Sequence, residues 1–152
     1  MVYRLILFLA LNFSALAIGV FFTGEGVPSE WYTQLNKAPW EPPGWVFGAA
    51  WSTIMICFAI YMSFLWEFLK SRKKIMLLFG LQWILNVGWS PVFFYYNNII
   101  LGLIVIALLT FLIGYMLYLY KVQLRVKSIL ILPYLTWLLI ATSLNGYVFF
   151  NN

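Results

Sequence analysis

The sequence has no histidine and no aspartate, and charged residues make up only 9% of its 152 residues. Without these side chains the protein cannot build a Ser-His-Asp triad, a histidine-based zinc site or an aspartate-based magnesium site. Its single cysteine, Cys57, excludes an internal disulfide and a CxxC motif. Because Cys57 stands in an apolar run, we interpret it as a small packing residue. We predict neither a metal nor a cofactor.

Apolar and aromatic residues take the place of the missing charge, at 64% and 21% of the chain. A soluble domain carries roughly 25% charged residues, so this composition suits lipid rather than water. The formal net charge of +5 comes from basic residues clustered between apolar runs. That pattern is typical of membrane loops and not of a nucleic-acid interface. The length suits one domain, which we assign to residues 1–152.

Five apolar runs without any charge are each long enough to cross a bilayer, which takes roughly 20 helical residues. They cover residues 5–23, 44–66, 75–96, 99–120 and 128–150. Backbone groups in lipid must hydrogen-bond within their own segment, so these runs predict helices. The sequence therefore predicts an all-α integral membrane protein, a bundle of five transmembrane helices. The first run also has features of a signal peptide, but its apolar continuation through Phe22 favours a retained helix.

The loops between these runs alternate in charge, which predicts an orientation. One side would carry Lys37 with Glu25, Glu30 and Glu41. Because basic loops stay on the cytoplasmic side, we predict a cytoplasmic N-terminus and an outer C-terminus in a bacterial inner membrane. The opposite, cytoplasmic side would carry eight basic residues: Arg4, Lys70, Arg72, Lys73, Lys74, Lys121, Arg125 and Lys127.

The long loop between the first two spans, residues 24–43, is rich in tryptophan and proline, and we predict that it is ordered. Pro42-Pro43-Gly44 suits the start of the second helix, since proline is tolerated in a first helical turn. Gly44, Gly48 and Ser52 then recur at a spacing of four. Such a face of small residues predicts close helix packing, either inside the bundle or between two copies.

Polar residues inside the third span indicate a second feature. Gln82, Asn86 and Ser90 recur at a spacing of four beside tryptophans. Amides in lipid face either other helices or a cavity, and both alternatives stay open for Gln82 and Asn86. Trp51 lies within the apolar slab, where its indole N–H needs a partner. Together they predict an aromatic, amide-lined cavity under the loop, suited to a flat apolar ligand. The lack of an acid or base in mid-membrane argues against a proton-coupled pump or an ion channel.

Three segments carry a resemblance to a known family: WYTQLNKAPWEPPGWVFGAAW, LQWILNVGWSPVFF and LPYLTWLLIATSLNGY. In these segments the chain resembles the tryptophan-rich sensory protein and translocator protein family (TspO/MBR), over essentially its whole length. The resemblance implies a five-helix membrane protein, usually a homodimer, that binds porphyrins. By position, it implies a cavity formed by Tyr32, Pro42, Trp51, Asn86, Trp89, Trp137 and Ala141, to which the polar pattern adds Gln82.

The resemblance leaves three functions open. The first is a receptor or transporter for tetrapyrroles, with Lys37 contacting a propionate. The second is a light- and oxygen-dependent enzyme that degrades porphyrin, for which Trp51 and Trp137 are the candidates. The third is a sensory or structural partner of another membrane protein. The sterol motif of animal members is incomplete, because no basic residue follows Tyr147.

Overall fold

The computed structural model of the chain describes residues 2–23 and 29–152; residue 1 and residues 24–28, which include Glu25, lie outside the described part. The regular structure in the described ranges is entirely helical, as the sequence predicts. Its α-helices are α1 (Val2–Thr23), α2 (Glu30–Gln34), α3 (Gly44–Phe68), α4 (Arg72–Ser90), α5 (Ile99–Leu124) and α6 (Leu132–Asn151).

Within the described residues, four continuous helical stretches are long and apolar enough to cross a membrane: Val2–Thr23, Gly44–Phe68, Arg72–Tyr95 and Ile99–Asn151. The last has 53 residues, and at 1.5 Å per residue it would be on the order of 80 Å long if straight. It reverses direction at Arg125, whose φ is 50°. As a result the hydroxyl oxygens of Thr110 in α5 and Thr142 in α6 lie 2.9 Å apart. Counting α5 and α6 separately gives the predicted five spans.

Two of the predicted spans differ from the helices in detail, and proline is involved in both. The predicted span 75–96 is a helix from Arg72 to Ser90 followed by a π-helical turn, Pro91–Tyr95. Pro91 has no N–H to donate, and its own carbonyl accepts from the N–H of Tyr96 five residues later, at 3.0 Å. The predicted span 128–150 starts as a 3-10 helix, Arg125–Ile131, and becomes α-helical just before Pro133, in the first turn of α6.

The helices pack so that α1 lies against α3 and α4, while α5 lies against α4 and α6. We call the end of the bundle that carries residues 70–74 and 121–127 the basic end. Between this end and the middle of the bundle, Phe58 of α3 and Phe79 of α4 are buried and stack at 6.3 Å, and Phe8 of α1 meets Phe79 edge-on at 5.1 Å. This aromatic cluster joins three helices in the core.

Polar groups of the spans bridge helices. The Asn12 side-chain amide in α1 donates to the Met55 carbonyl in α3 at 2.9 Å. The Trp83 indole N–H in α4 donates to the Leu11 carbonyl at 2.9 Å. A polar group buried without a partner is costly, so these bonds fix the rotation of α1 against its neighbours.

Residues 29–43 cross the other end of the bundle, which we call the loop end. The backbone N–H of Asn36 donates to Asn152 Oδ1, and its side-chain amide donates to the carbonyl of Asn151, both at 2.9 Å. The Trp40 indole N–H donates to Ser143 Oγ at 3.1 Å. These bonds tie the loop to α6 and make the described part of the loop an ordered cover.

Candidate functional site

A cavity of about 440 Å³ lies at the loop end, enclosed by α1, residues 32–42, α3, the end of α4 with its π-helical turn, and α6. Ligand cavities in proteins span roughly 300–1,000 Å³, so this one has the size of a small-molecule site. Eight of the nine residues predicted for the site line it: Tyr32, Lys37, Pro42, Trp51, Asn86, Trp89, Trp137 and Ala141. Gln82 does not.

Small residues on facing helices leave the space open. Ala15 and Gly19 of α1, Gly44 and Gly48 of α3, and Ala141 of α6 all line the cavity. A Cβ built on Gly44 or Gly48 would meet no heavy atom within 4 Å. Within the described structure these two glycines therefore do not pack against a helix of the same bundle, which was one of the two alternatives predicted from their spacing. They form a wall of the cavity instead.

A hydrogen-bonded chain connects the cavity to the buried interior. The Asn86 side-chain amide donates to the Tyr134 hydroxyl at 3.1 Å, and that hydroxyl donates to Gln82 Oε1 at 3.0 Å. Tyr134 and Gln82 are both buried, whereas Asn86 reaches the cavity. Of the two roles left open by the sequence, Gln82 thus has the helix-bridging one, because α6 supplies its partner. Asn86 has both roles, because its side-chain amide bonds to Tyr134 of α6 and the residue also lines the cavity.

Trp89 is held from two sides. Its indole N–H donates to Asn145 Oδ1 at 3.3 Å, and the Asn145 amide donates to the Ala141 carbonyl at 2.9 Å. Its ring stacks on Phe93 in the π-helical turn, with ring centroids 5.3 Å apart and planes 13° apart. The turn after Pro91 brings Phe93 back over Trp89. We call this stacked pair, which lines the cavity, the aromatic wall.

Trp51 and Trp137 line the opposite part of the cavity. Trp51 meets Tyr134 edge-on at 6.1 Å, and Trp137 meets Phe47 edge-on at 5.3 Å. Each ring is fixed by these contacts. In the part of the chain that the structure describes, neither indole N–H has a hydrogen-bond acceptor. Both remain available as donors to a bound molecule.

Three side chains of the loop line the cavity as a connected group. The Tyr32 hydroxyl donates to Glu41 Oε1 at 2.5 Å. Lys37 Nζ lies 3.9 Å from Glu41 Oε2 and 3.9 Å from the centroid of the Tyr32 ring. Burial, then the hydrogen bond to Glu41 and the charge of that carboxylate, raises the pKa of Tyr32 above its ordinary value. Tyr32 is therefore a neutral hydrogen-bond donor, and the Glu41 carboxylate partly neutralises the positive charge of Lys37.

The arrangement is an aromatic cavity inside a helical membrane bundle, and the charged residues that line it are the paired Lys37 and Glu41 of the loop. The model of the TspO/MBR family matches residues 6–150 of this chain. The chain belongs to the TspO/MBR family. This membership, together with the spans, makes it an integral multi-pass membrane protein.

Several characterised relatives of the TspO/MBR family are similar over most of their length. The tryptophan-rich protein TspO of Archaeoglobus fulgidus is 35% identical over 136 residues, which cover 88% of this chain and 87% of that protein. The protein of the same name from Chlorobaculum tepidum is 34% identical over 140 residues, covering 86% and 87%. The human translocator protein is 30% identical over 136 residues, covering 87% and 79%. The resemblance seen in the three sequence segments is thereby confirmed.

Three residues of the cavity in this TspO/MBR protein were missed as site residues at the level of sequence. Glu41 follows Lys37 by four residues, and the non-helical segment between them turns so that the two side chains meet. Phe93 follows Pro91 closely, and a proline inside an apolar run signals that the next side chains change direction. Asn145 lies within the predicted fifth span, where an amide has to face another helix or a cavity. The structure brings all three to the cavity.

Proposed function

We propose that this TspO/MBR protein is a membrane receptor or transporter-like protein that binds porphyrins, and other flat apolar molecules, in the cavity at its loop end. The observation that supports this most is that the stacked pair of Trp89 and Phe93 lines a cavity of about 440 Å³ with few polar groups. Aromatic faces bind planar π-systems by offset or edge contacts. A tetrapyrrole offers both an extended ring and polar groups at its edge.

The polar groups of the cavity suit the edge of such a ring. Asn86 and the free indole N–H groups of Trp51 and Trp137 are placed to accept or donate at ring nitrogens or substituents. Lys37 in the loop is the cation that a propionate would meet. Since Glu41 already lies 3.9 Å from it, a propionate has to compete with Glu41, and partly exposed pairs of this kind contribute only about 0–1 kcal/mol.

A dark titration of the purified protein with protoporphyrin, followed by tryptophan fluorescence quenching, tests the proposal. Gly48→Leu adds four carbons where a Cβ meets nothing within 4 Å, inside the cavity. Gly80→Leu adds the same group at another glycine with open space, away from the cavity. We expect saturable quenching near the micromolar range, roughly −8 kcal/mol, that Gly48→Leu abolishes and Gly80→Leu keeps. The double variant Asn86→Ala with Trp137→Ala should also lose it.

Non-saturating quenching that is the same in the native protein and in Gly48→Leu would contradict the proposal, because the porphyrin would then be partitioning into detergent. The role of the loop is tested separately. Lys37→Ala should weaken binding of a carboxylated porphyrin more than binding of a neutral planar ligand, whereas Glu41→Gln should strengthen the former because it frees the lysine. Equal changes for both ligands would exclude a propionate contact at Lys37.

A light-driven function is the second candidate, and the position of Trp51 and Trp137 on the cavity wall favours it. In this reading the protein uses light and oxygen to degrade the bound porphyrin. Absorbance of the bound porphyrin should then fall under illumination faster in the native protein than in Trp137→Phe. Loss at the same rate with free tryptophan in micelles would point to unassisted photochemistry. A stable complex with another protein that survives Gly48→Leu would instead favour a sensory or structural role.

We also propose the membrane placement and assembly of the protein. The basic end would face the cytoplasm and the loop end the outside of a bacterial inner membrane, because basic loops are retained on the cytoplasmic side. The working form would be a homodimer, as the family resemblance implies. Single cysteines placed at Lys73 or Asn152 in a Cys57→Ser background should react with an impermeant thiol reagent from opposite sides. Light scattering in detergent should give twice the 17.7 kDa mass of one chain.

A further inference from the structure

A second concave feature lies on the outside of the bundle, between α3 and the start of α6. It is a groove of about 590 Å³ without charged residues, lined among others by Ala49, Thr53, Ile129, Thr136 and Ile140. The Thr53 hydroxyl donates to the Ala49 carbonyl within its own helix at 2.9 Å, so it adds little polarity to the surface. Because these helix segments lie in the membrane spans, the groove is open to acyl chains and not to water.

One wall residue of the groove is close in sequence to a cation at the basic end. Ile129 forms part of its wall, and Lys127 lies two residues earlier, in the 3-10 turn at the basic end. The Lys127 ammonium lies 4.3 Å and 4.2 Å from the ring centroids of Phe64 and Phe68 of α3. These rings hold the lysine at the α3 side of the turn. They attract the cation but do not neutralise it.

Within the described residues, the carboxylate that forms an ion pair is that of Glu41, and its partner is Lys37. No carboxylate in this part of the chain pairs with Lys127. The surroundings of Lys127 are also strongly positive. Residues 70–74 and 121–127 contribute seven basic side chains to this end, against Glu67 as the nearby acid in sequence. An uncompensated cation beside an apolar groove matches an amphiphile with a negative headgroup and an apolar tail.

We propose that the α3–α6 groove with Lys127 is a binding site for one anionic phospholipid of the surrounding bilayer. The headgroup phosphate contacts the Lys127 ammonium, and one acyl chain lies in the groove. Trp137 lines both this groove and the cavity. The acyl chain therefore packs against the outer side of the same indole that faces the cavity. The site is independent of which ligand the cavity takes.

The purified protein, reconstituted with matched spin-labelled phosphatidylglycerol and phosphatidylcholine, provides the test. The immobilised fraction of each lipid gives its relative affinity. Lys127→Gln removes the cation at the groove. Lys121→Gln is the matched control, because Lys121 lies over the Tyr118 ring at 5.1 Å at the same end but is farther along the chain from Ile129 of the groove wall than Lys127 is. We expect the native protein to prefer phosphatidylglycerol by about fivefold, the factor that one lysine contributes near an anionic surface, and Lys127→Gln alone to lose that preference.

The apolar part of the site has its own pair of variants. Ala49→Phe fills the groove, and Ala107→Phe adds the same ring at an exposed position of α5 outside it. Ala49→Phe should lower retention of both lipids, and Ala107→Phe should leave it unchanged. Thermal unfolding of each variant reports whether the fold is kept.

Three results would overturn the proposal. Equal loss of preference in Lys127→Gln and Lys121→Gln would mean that the basic end attracts anionic lipid diffusely. Equal retention of phosphatidylglycerol and phosphatidylcholine by the native protein would exclude a headgroup site. Efficient disulfide formation between copies carrying Ala49→Cys in a Cys57→Ser background, with release of bound lipid, would mean that a second copy covers the groove.

Discussion

Gly102 in α5 allows the aromatic wall of the cavity to form, and replacing it should show how tightly that wall is packed. A Cβ at Gly102 would lie 2.8 Å from Cδ2 and 3.3 Å from Cβ of Phe93. The first distance is too short for two carbons, so the Phe93 ring would have to move. That ring is already fixed by the stack on Trp89 at 5.3 Å and by an edge contact with Trp31 at 5.5 Å.

The cost of Gly102→Ala follows from two opposing effects. Forcing one carbon into a packed site costs about 1–3 kcal/mol, whereas alanine favours a helix over glycine by up to about 1 kcal/mol. Gly114→Ala, also in α5, is the matched control, because its added Cβ would lie 3.8 Å from Leu135 Cδ1, an ordinary contact. Gly114→Ala gains the higher helix propensity of alanine without the cost of forcing a carbon into a packed site. The two variants should therefore differ in free energy of unfolding by about 1–3 kcal/mol.

Equilibrium unfolding of both variants in the same detergent measures that difference, and the porphyrin titration supplies a second readout. Gly102→Ala should be the less stable variant and should bind porphyrin more weakly, because a displaced Phe93 breaks the stack with Trp89. Gly114→Ala should bind like the native protein. If Gly102→Ala is as stable as Gly114→Ala and binds normally, the Phe93 wall is not packed as described.

Two further predictions concern hydrogen bonds at the cavity. Tyr134→Phe should destabilise the protein by about 0.5–2 kcal/mol, because it leaves the amides of Asn86 and Gln82 without their shared hydroxyl; unfolding of Tyr134→Phe beside the native chain checks this, and an unchanged stability would contradict it. The pKa of Tyr32 is raised while the loop covers the cavity, so this closed state keeps the phenol proton at pH values above about 10, at which an open loop would lose it. Opening of the loop, measured by hydrogen exchange of its backbone amides, should therefore increase above that pH. In Tyr32→Phe, which also lacks the bond to Glu41, loop opening should not depend on pH in this way.

Much of the fold could be predicted because lipid imposes a simple rule on sequence. Each predicted span is an uncharged run and the basic clusters lie between these runs, so hydropathy and charge indicate the same five segments. The turns at Pro91 and Arg125 were less predictable. The sequence shows that Pro91 perturbs a helix. Whether the chain kinks, ends or forms a π-turn there depends on the contacts of Phe93 with Trp89 and Trp31, which the sequence does not show.

The cavity was predictable in outline and not in detail. Polar residues in an apolar run have to face a partner or a cavity, which correctly drew attention to Gln82 and Asn86. These two residues are four apart on one helix face. The position of Tyr134 on another helix determines that Asn86 lines the cavity while Gln82 is buried behind it. Spacing alone also could not distinguish a glycine face that packs from one that faces open space, as Gly48 does.

The ties between the loop and the last turn of α6 have a consequence for the speed of binding. Asn36 and Trp40 make three hydrogen bonds to α6 and to Asn152 directly after it, each contributing about 0.5–1.5 kcal/mol net. A closed state favoured by a few kcal/mol leaves the open state at the per cent level or below. If a ligand passes under the loop, its association rate is reduced by that same fraction, however well it fits. The rate of capture would then depend on the fraction of time for which the hydrogen bonds from the loop to Ser143, Asn151 and Asn152 are broken, as well as on diffusion.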